Sequence, residues 1–201
     1  MASLYFYYST MNAGKSTQLL QASYNYEEHG KPTLVLKTSL DDRDGVGIIA
    51  SRIGIQRKAV IFNHQTHLFD LCKNQMQEIE KTQSKPVSAI FVDEAQFLSE
   101  KQVWQLSDIV DELDTPVLCY GLRNDAFGHL FEGSQALLDI ADNLQEIKAI
   151  CQYCNRKANM VFRVDSQGNP VKEGNVIQIG GNDQYHACCR KHWKEFMLSS
   201  T

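Results

Sequence analysis

The chain lacks two features that would point to a membrane or to nucleic acid: a long apolar run and a strong charge of one sign. No apolar stretch approaches the roughly 20 residues that cross a bilayer core. Residues 1–8 lack the basic flank and cleavage site of a signal peptide, so we expect no membrane partner. The formal charge is only −4, and basic residues are scattered. Because proteins that hold nucleic acid through its phosphates are more often basic, we expect no nucleic-acid partner.

What is present is an ordinary globular composition, with 43% hydrophobic residues among 201. Short apolar runs at 4–8, 33–37, 88–92 and 115–120 predict strands, and stretches at 16–28, 68–79, 103–113 and 133–141 predict helices. This alternation predicts an α/β fold, a mostly parallel sheet flanked by helices. Residues 39–57 are rich in Asp, Gly and Arg and predict a long loop that is either functional or disordered. After Ala149 the pattern changes, so we expect a first domain over 1–148 and a small appendage over 149–201.

A phosphate-binding loop follows the first predicted strand and precedes the first predicted helix. The template G-x-x-x-x-G-K-[ST] uses backbone N–H groups for phosphate, a lysine for the outer phosphates and a hydroxyl for Mg²⁺. Its first glycine is missing, because serine stands there. A chance match is the alternative, but the position between strand and helix favours a P-loop NTPase. The expected ATP-binding residues are Ser9, Thr10, Met11, Asn12, Ala13, Gly14, Lys15 and Ser16.

Two acidic residues follow the third predicted strand, where a P-loop enzyme needs a carboxylate near its metal. Asp93 is the candidate Mg²⁺ ligand together with Ser16, and Glu94 is the candidate proton acceptor. The alternative is that the pair only begins a solvated turn.

The cysteine spacing predicts a structural zinc site in the appendage. A C-x-x-C and a C-x-x-H motif can close a tetrahedral site with three thiolates and one imidazole. The expected ligands are Cys151, Cys154, Cys189 and His192. Cys188 could replace its neighbour, His186 is a more remote candidate, and a redox C-x-x-C is the competing interpretation. Without a signal peptide, a reducing cytoplasm is the expected compartment.

Taken together, the sequence resembles the zinc-containing, oligomeric (type II) thymidine kinases, and in particular their bacterial members, over essentially its whole length. Four motifs carry the resemblance: YSTMNAGKST at 8–17; FVDEAQF at 91–97; YGLR at 120–123 with Phe131; and IGGNDQY at 179–185 ahead of CRKH at 189–192. Bacterial members of this family share the serine at position 9.

The resemblance implies transfer of the γ-phosphoryl group of ATP to the 5′-hydroxyl of thymidine, with Mg²⁺. Glu94 matches the family's general base, and Asp93 and Ser16 match its metal ligands. Asp41 and Arg43 match an aspartate and arginine near the nucleotide. The second ATP-contacting segment corresponds to Asp93, Glu94, Ala95 and Gln96.

The resemblance also implies a thymidine pocket covered by a lasso-like loop that the zinc knuckles hold. The pocket residues would be Met11, Leu122, Phe131, Val176, Ile177, Gln178, Ile179, Gly180 and Tyr185. Where the family tends to have an aromatic, this chain has Ala126, with Phe127 one place later; Phe127 either substitutes or leaves the position without a ring. Feedback by thymidine triphosphate and a homotetramer are further expectations.

Two other function classes compete with this interpretation. One is a P-loop ATPase whose zinc knuckle binds DNA or RNA, which the acidic balance disfavours. The other is a non-catalytic zinc-ribbon adaptor, which leaves the phosphate loop and the Asp93–Glu94 pair without a purpose.

Overall fold

The computed structural model of the chain describes residues 1–41, 45–174 and 184–199. Its strands and helices, in chain order, are β1 (Leu4–Ser9), α1 (Lys15–Glu28), β2 (Thr33–Thr38), β3 (Ile48–Ala50), β4 (Gln56–Lys58), β5 (Val60–Phe62), α2 (Leu68–Gln83), β6 (Ala89–Asp93), a 3₁₀ turn (Ala95–Phe97), α3 (Glu100–Leu113), β7 (Val117–Leu122), α4 (Glu132–Ile140), β8 (Asn143–Glu146), β9 (Ala149–Ile150), β10 (Lys157–Ala158), β11 (Met160–Arg163), β12 (Tyr185–Cys188) and α5 (Arg190–Met197). No helix among these residues is long and apolar enough to cross a membrane.

The centre of the fold is a six-stranded sheet with the order β5-β2-β6-β7-β1-β8, in which every neighbouring pair is parallel. A parallel sheet is covered on both faces, so its strands need apolar residues on both sides. β6 shows this clearly: all five residues are buried, with Ile90 and Val92 in one core and Ala89 and Phe91 in the other. The predicted α/β class is confirmed.

The helices are divided unequally between the two faces of the sheet. Apolar residues of α2, α3 and α4 pack on one core, together with Ile90 and Val92. Leu19 and Leu20 of α1 pack on the other core, beside Phe91. Because the predicted phosphate-binding loop leads directly into α1, the packing of this helix fixes the position of the loop at the carboxyl edge of the sheet.

Several boundaries follow directly from local sequence. The first helix ends at Glu28, and Gly30 takes a left-handed φ of +67° two residues later, which glycine adopts without strain. Ser99 and Gln102 form a capping box at the start of α3, each side chain bonding the other residue's backbone N–H.

The loop predicted over 39–57 contains regular structure that the sequence did not indicate. β3 and β4 form an antiparallel hairpin, with Ile49 opposite Arg57. Two edge strands were also missed, since β5 pairs with β2 and β8 pairs with β1.

In the part of the C-terminal segment that the structure describes, residues 149–174 and 184–199, the regular elements are short antiparallel pairs and one helix. β9 pairs with β10, β11 pairs with β12, and α5 packs beside them. Its apolar cluster is small and contains Phe162, Cys188 and Met197.

Candidate active site and metal centre

The loop after β1 has the backbone shape of an anion cradle. Its left-handed residues are Asn12, with φ of +63°, and Gly14, with φ of +84°. Gly14 is also the N-cap of α1, so the first turn of this helix points its N–H groups toward the loop. Ser9 keeps an ordinary negative φ as the last residue of β1, paired with Leu122. Position 9 therefore does not need the glycine that the template calls for.

Lys15 lies inside this loop with its side chain largely buried. Its Nζ donates a hydrogen bond to the carbonyl oxygen of Thr10, at 3.0 Å. Ser9 Oγ donates to the same carbonyl at 2.8 Å. The ammonium group is thus held across the loop by backbone oxygen, at the place where phosphate oxygens are expected.

The carboxylate of Asp93 meets the P-loop from the end of β6. Ser16 Oγ donates to Asp93 Oδ2 at 3.2 Å, joining two residues that are 77 positions apart in sequence. Two ligands at right angles around Mg²⁺, each about 2.1 Å from the ion, would lie about 3.0 Å apart. These two oxygens therefore fit neighbouring positions around one magnesium ion. Burial raises the pKa of Asp93 to about 7, with the nearby Glu94 charge as the second cause.

Glu94 turns out of the sheet immediately after Asp93. Its φ of +52° is left-handed, which is uncommon for a residue with a side chain. Its N–H donates to Asp93 Oδ1 at 3.0 Å, and its carboxylate accepts a hydrogen bond from Gln96 Nε2. This backbone turn carries the Glu94 side chain away from the core, and the residue is only partly buried.

Asp41 lies at the same edge of the sheet as Asp93. It follows β2, whose Lys37 is paired in register with Asp93 of the adjacent strand. Lys37 Nζ is 3.6 Å from Asp41 Oδ2 and donates to the carbonyl oxygen of Ile48 at 2.8 Å. Arg43 lies outside the described residues.

The expected thymidine pocket is described in part. Leu122 is the last residue of β7, and its N–H bonds the Gln96 side chain at 2.9 Å. Phe131 is the N-cap of α4 and packs edge-to-face on Phe97, with ring centroids 5.8 Å apart. Met11 is partly buried in the P-loop, and Tyr185 begins β12. Residues 176–180, expected to cover the base, lie outside the described residues.

Phe127 packs on the C-terminal segment of the chain. Its ring lies against the apolar cluster of the C-terminal segment, beside Met160 and Trp193. Ala126 is buried, and its carbonyl oxygen accepts a hydrogen bond from Trp193 Nε1 at 3.2 Å. The role of Phe127 beside the base stays a prediction, as the sequence left it.

The four predicted zinc ligands come together at one point. Their ligand atoms all lie within 4.8 Å of one another, in the set Cys151, Cys154, Cys189 and His192. The Sγ atoms of Cys154 and Cys189 are 3.8 Å apart, and His192 Nδ1 is 3.4 Å from the Sγ atoms of Cys151 and Cys189. A tetrahedral site with Zn–S bonds of about 2.3 Å places sulfurs about 3.8 Å apart. The cluster is therefore compatible with structural zinc.

The geometry also separates the two adjacent cysteines. Cys188 is fully buried in the small apolar cluster, and burial raises the pKa of its thiol to about 12. Cys189, at the N-terminus of α5, faces the other three ligands. Cys189 is thus the member of the pair that the cluster contains.

The cysteine-bearing segment docks on the loop that follows β7. Arg123 Nη2 donates to the carbonyl oxygen of Asn159 at 2.9 Å, and Trp193 Nε1 bonds the carbonyl oxygen of Ala126. A Cβ added to Gly128 would lie 3.1 Å from the Trp193 ring, so the loop and α5 are in close contact. The metal cluster is thereby connected to the loop between Leu122 and Phe131.

Comparison with known proteins decides the family. The family model described as "Thymidine kinase" matches residues 2–193. The chain belongs to the thymidine kinase family. A curated thymidine kinase of Haemophilus influenzae (strain Rd) is 57% identical to it, over 97% of this chain and 97% of its own. One from Idiomarina loihiensis is 55% identical, over 98% of this chain and 98% of its own. One from Vibrio vulnificus (strain YJ016) is 53% identical over 97% of this chain and 98% of its own.

Membership in this family agrees with the resemblance that the sequence motifs carry. The family is one of phosphotransferases, which favours the kinase over both competing function classes.

Three residues at the site make contacts that the sequence did not predict. Lys37 is fully buried beside Asp41, although a lysine at a strand end usually reaches solvent. Arg52 Nη2 contacts Asn12 Oδ1 at 2.5 Å and so reaches the P-loop from the β3–β4 hairpin. Gln96, expected to contact ATP, has its side-chain amide bonded within the protein. Each depends on a long-range contact that local sequence does not reveal.

Proposed function

We propose that this protein transfers the γ-phosphoryl group of ATP to the 5′-hydroxyl of thymidine, giving thymidine monophosphate and ADP. The observation that carries the proposal is the hydrogen bond between Ser16 and Asp93, because it joins the P-loop to the acidic end of β6. In a chain of the thymidine kinase family, this junction brings phosphate-binding and proton-accepting groups to one edge of the sheet.

The P-loop residues 9–16 bind the ATP phosphates in this proposal. The backbone N–H groups at the start of α1 face the loop, and the Lys15 ammonium lies across it at Thr10. Phosphoryl transfer depends on positioning and charge neutralisation more than on covalent chemistry, and fixed N–H donors with one lysine supply both. Residues 93–96 form the second segment near ATP.

Mg²⁺ is the implied metal at this end of the site. Ser16 and Asp93 would hold it, and when bound it neutralises charge on the ATP phosphates. The spacing of these two oxygens supports this role.

Glu94 accepts the proton of the 5′-hydroxyl. A nucleoside hydroxyl is a weak nucleophile, so removal of its proton during attack lowers the barrier. The left-handed turn at Glu94 supports this assignment, because it directs the carboxylate out of the sheet while Asp93 stays buried. Asp41 and Arg43 lie near the nucleotide in this proposal.

The thymidine base binds between the carboxyl end of the sheet and the lasso over residues 176–180. Met11, Leu122, Phe131 and Tyr185 form the remaining walls. Zinc bound by Cys151, Cys154, Cys189 and His192 stabilises the segment that carries this lasso. The contact between Trp193 and Ala126 supports such a coupling, since it ties α5 to the loop after Leu122.

Four finer features complete the proposal. The chain divides into a kinase domain over 1–148 and a zinc-binding lasso domain over 149–201. The enzyme is a cytoplasmic homotetramer, and thymidine triphosphate, which shares the base of the substrate and the phosphates of ATP, inhibits it by feedback.

The proposal is tested by ATP consumption with Mg²⁺ in parallel reactions that contain thymidine, other nucleosides or single-stranded DNA. Thymidine-dependent formation of thymidine monophosphate is expected, and stimulation by single-stranded DNA alone would contradict it. The Glu94→Gln variant should turn over about 10²- to 10⁴-fold more slowly with little change in ATP affinity. Near-normal turnover of this variant would remove Glu94 from the role of general base.

A further inference from the structure

Gln96 lies next to the Glu94 carboxylate, with its own side chain sealed inside the protein. The residue is 2% exposed, and both ends of its amide are bonded. Nε2 donates to Glu94 Oε2, while Oε1 accepts from the backbone N–H of Leu122 at 2.9 Å. The side chain therefore forms a bridge from the Glu94 carboxylate to the end of β7.

The orientation of this amide is fixed by its two partners. A backbone N–H can only donate, so the atom facing Leu122 must be the oxygen. An ionised carboxylate can only accept, so the atom facing Glu94 must be the NH₂ group. With both ends bonded inside the protein, little of this amide remains for an ATP phosphate.

The backbone of β7 is shaped to receive the Gln96 side chain. A Cβ added to Gly121 would lie 3.0 Å from Gln96 N and 3.0 Å from Gln96 Oε1. Both distances are tighter than ordinary van der Waals contact, so the absence of a side chain at Gly121 lets the amide lie against the strand. The bridge therefore rests on a strand of the central sheet.

We propose that Gln96 is a positioning residue, which holds the Glu94 carboxylate at a fixed distance from the end of β7. This inference rests on the proposed function, in which Glu94 takes the proton of the 5′-hydroxyl. Glu94 sits on a left-handed turn and is partly exposed, and the Gln96 amide is a buried side chain that bonds its carboxylate. Leu122 belongs to the expected thymidine pocket. The bridge therefore fixes the position of the Glu94 carboxylate relative to the pocket wall that receives the substrate.

The test uses two variants of the full-length, zinc-loaded enzyme. Gln96→Glu keeps the acceptor for the Leu122 N–H but faces Glu94 with a second carboxylate; Gln96→Met removes both hydrogen bonds. Since an error of about 1 Å in a reacting group costs about 10²-fold, we expect kcat to fall about 10- to 100-fold in each. The dissociation constants of ATP and thymidine should stay within about twofold of the parent.

Gln102→Glu provides the matched control. Gln102 is also 2% exposed, and its amide is also bonded inside the protein, to the backbone of Asn63, Thr66 and Ser99. Its bonds do not involve Glu94. This variant should lower the melting temperature while kcat of the folded enzyme stays near the parental value.

A double-mutant cycle separates positioning from a general structural role. If Gln96 acts through Glu94, Gln96→Met should slow the parent but not the Glu94→Gln enzyme, because the group to be positioned is already gone. Equal losses in both backgrounds, a normal kcat in Gln96→Glu, or weakened ATP binding with normal kcat would each overturn the inference. Normal turnover of Glu94→Gln would instead remove Glu94 from the role of general base and overturn the inference with it, whereas a parent enzyme with no thymidine-dependent turnover would refute the proposed function. If Gln96→Met does not fold, the kcat of Gln96→Glu decides.

Discussion

Gly133 offers a sharp test of how the site is supported, because it is the point where α4 touches the 3₁₀ turn after Glu94. A Cβ added at Gly133 would lie 2.6 Å from the carbonyl oxygen of Ala95, 2.7 Å from that of Leu98 and 3.0 Å from Leu98 Cβ. Real Cβ atoms essentially never come within 3.0 Å of such neighbours. The substitution Gly133→Ala must therefore move the helix or the turn.

The size of the effect follows from two opposing contributions. Alanine is favoured over glycine in a helix by about 1 kcal/mol, which alone would stabilise the protein. Overpacking costs about 1–3 kcal/mol, and here the upper end applies because the neighbours are backbone atoms that cannot rotate away. We expect Gly133→Ala to lower the free energy of unfolding by about 1–2 kcal/mol.

The same substitution should also slow catalysis. To bring the contact with Ala95 from 2.6 Å to an ordinary 3.4 Å, the helix and the turn must separate by about 0.8 Å. The turn follows Glu94 directly, so part of this shift reaches the proposed base. A displacement approaching 1 Å costs up to about 10²-fold, and we expect kcat to fall by about tenfold or more.

Urea unfolding and steady-state turnover are the two measurements. Asp139→Ala, at an exposed position of the same helix, controls for the gain in helix propensity. If Gly133→Ala is as stable as the parent or more stable, the close packing of α4 on the turn is not a real constraint. A destabilised variant with unchanged kcat would show that the packing of α4 on the turn stabilises the fold but does not determine the position of Glu94.

Three further predictions concern the phosphate loop and the cysteines. Lys15→Ala should abolish thymidine phosphorylation and leave the circular dichroism spectrum unchanged; a native rate would refute the phosphate-loop assignment. Cys154→Ser should lose zinc by metal analysis and weaken thymidine binding steeply while ATP binding persists, because in the proposed function the zinc knuckles support the lasso. Unchanged thymidine affinity would show that they do not. A thiol reagent at pH 8 counts the reactive cysteines of the zinc-loaded enzyme. Adding a chelator should make the three cluster thiols reactive, and unfolding the protein should add three more. The second set is shielded by burial, which raises the pKa of each thiol: Cys72, Cys119 and Cys188.

The centre of the fold could be predicted from the sequence because its signals are local. The apolar run before the P-loop, the Gly14-Lys15-Ser16 triplet and the helical stripe after it define β1 and α1 to within about one residue. The zinc ligands could be predicted equally well, since one C-x-x-C and one C-x-x-H motif restrict the possible ligands to a few residues. Local sequence left Cys188 open as an alternative to Cys189, and only tertiary packing separates them.

The missed elements depend on contacts between distant residues. β8 has the sequence Asn-Leu-Gln-Glu and is mostly exposed, so its strand character comes from pairing with β1 and not from an apolar pattern. Lys37 carried no sign of burial, because its partners Asp41 and Ile48 are fixed by the fold of the following loop. The bridging role of Gln96 needed the position of Leu122, 26 residues later.

The pairing of Lys37 with Asp41 has a consequence for how the chain can change over evolutionary time. The lysine side chain is fully buried, and that of Asp41 is 7% exposed, so neither charge has bulk water to replace its partner. Removing the aspartate takes the nearby carboxylate from a buried ammonium group, which is far more harmful than exchanging both residues for apolar ones. The two positions are therefore expected to change together in evolution. Homologues that lack the aspartate are expected to lack the lysine as well. A covariation signal between positions 37 and 41 would be the record of that constraint.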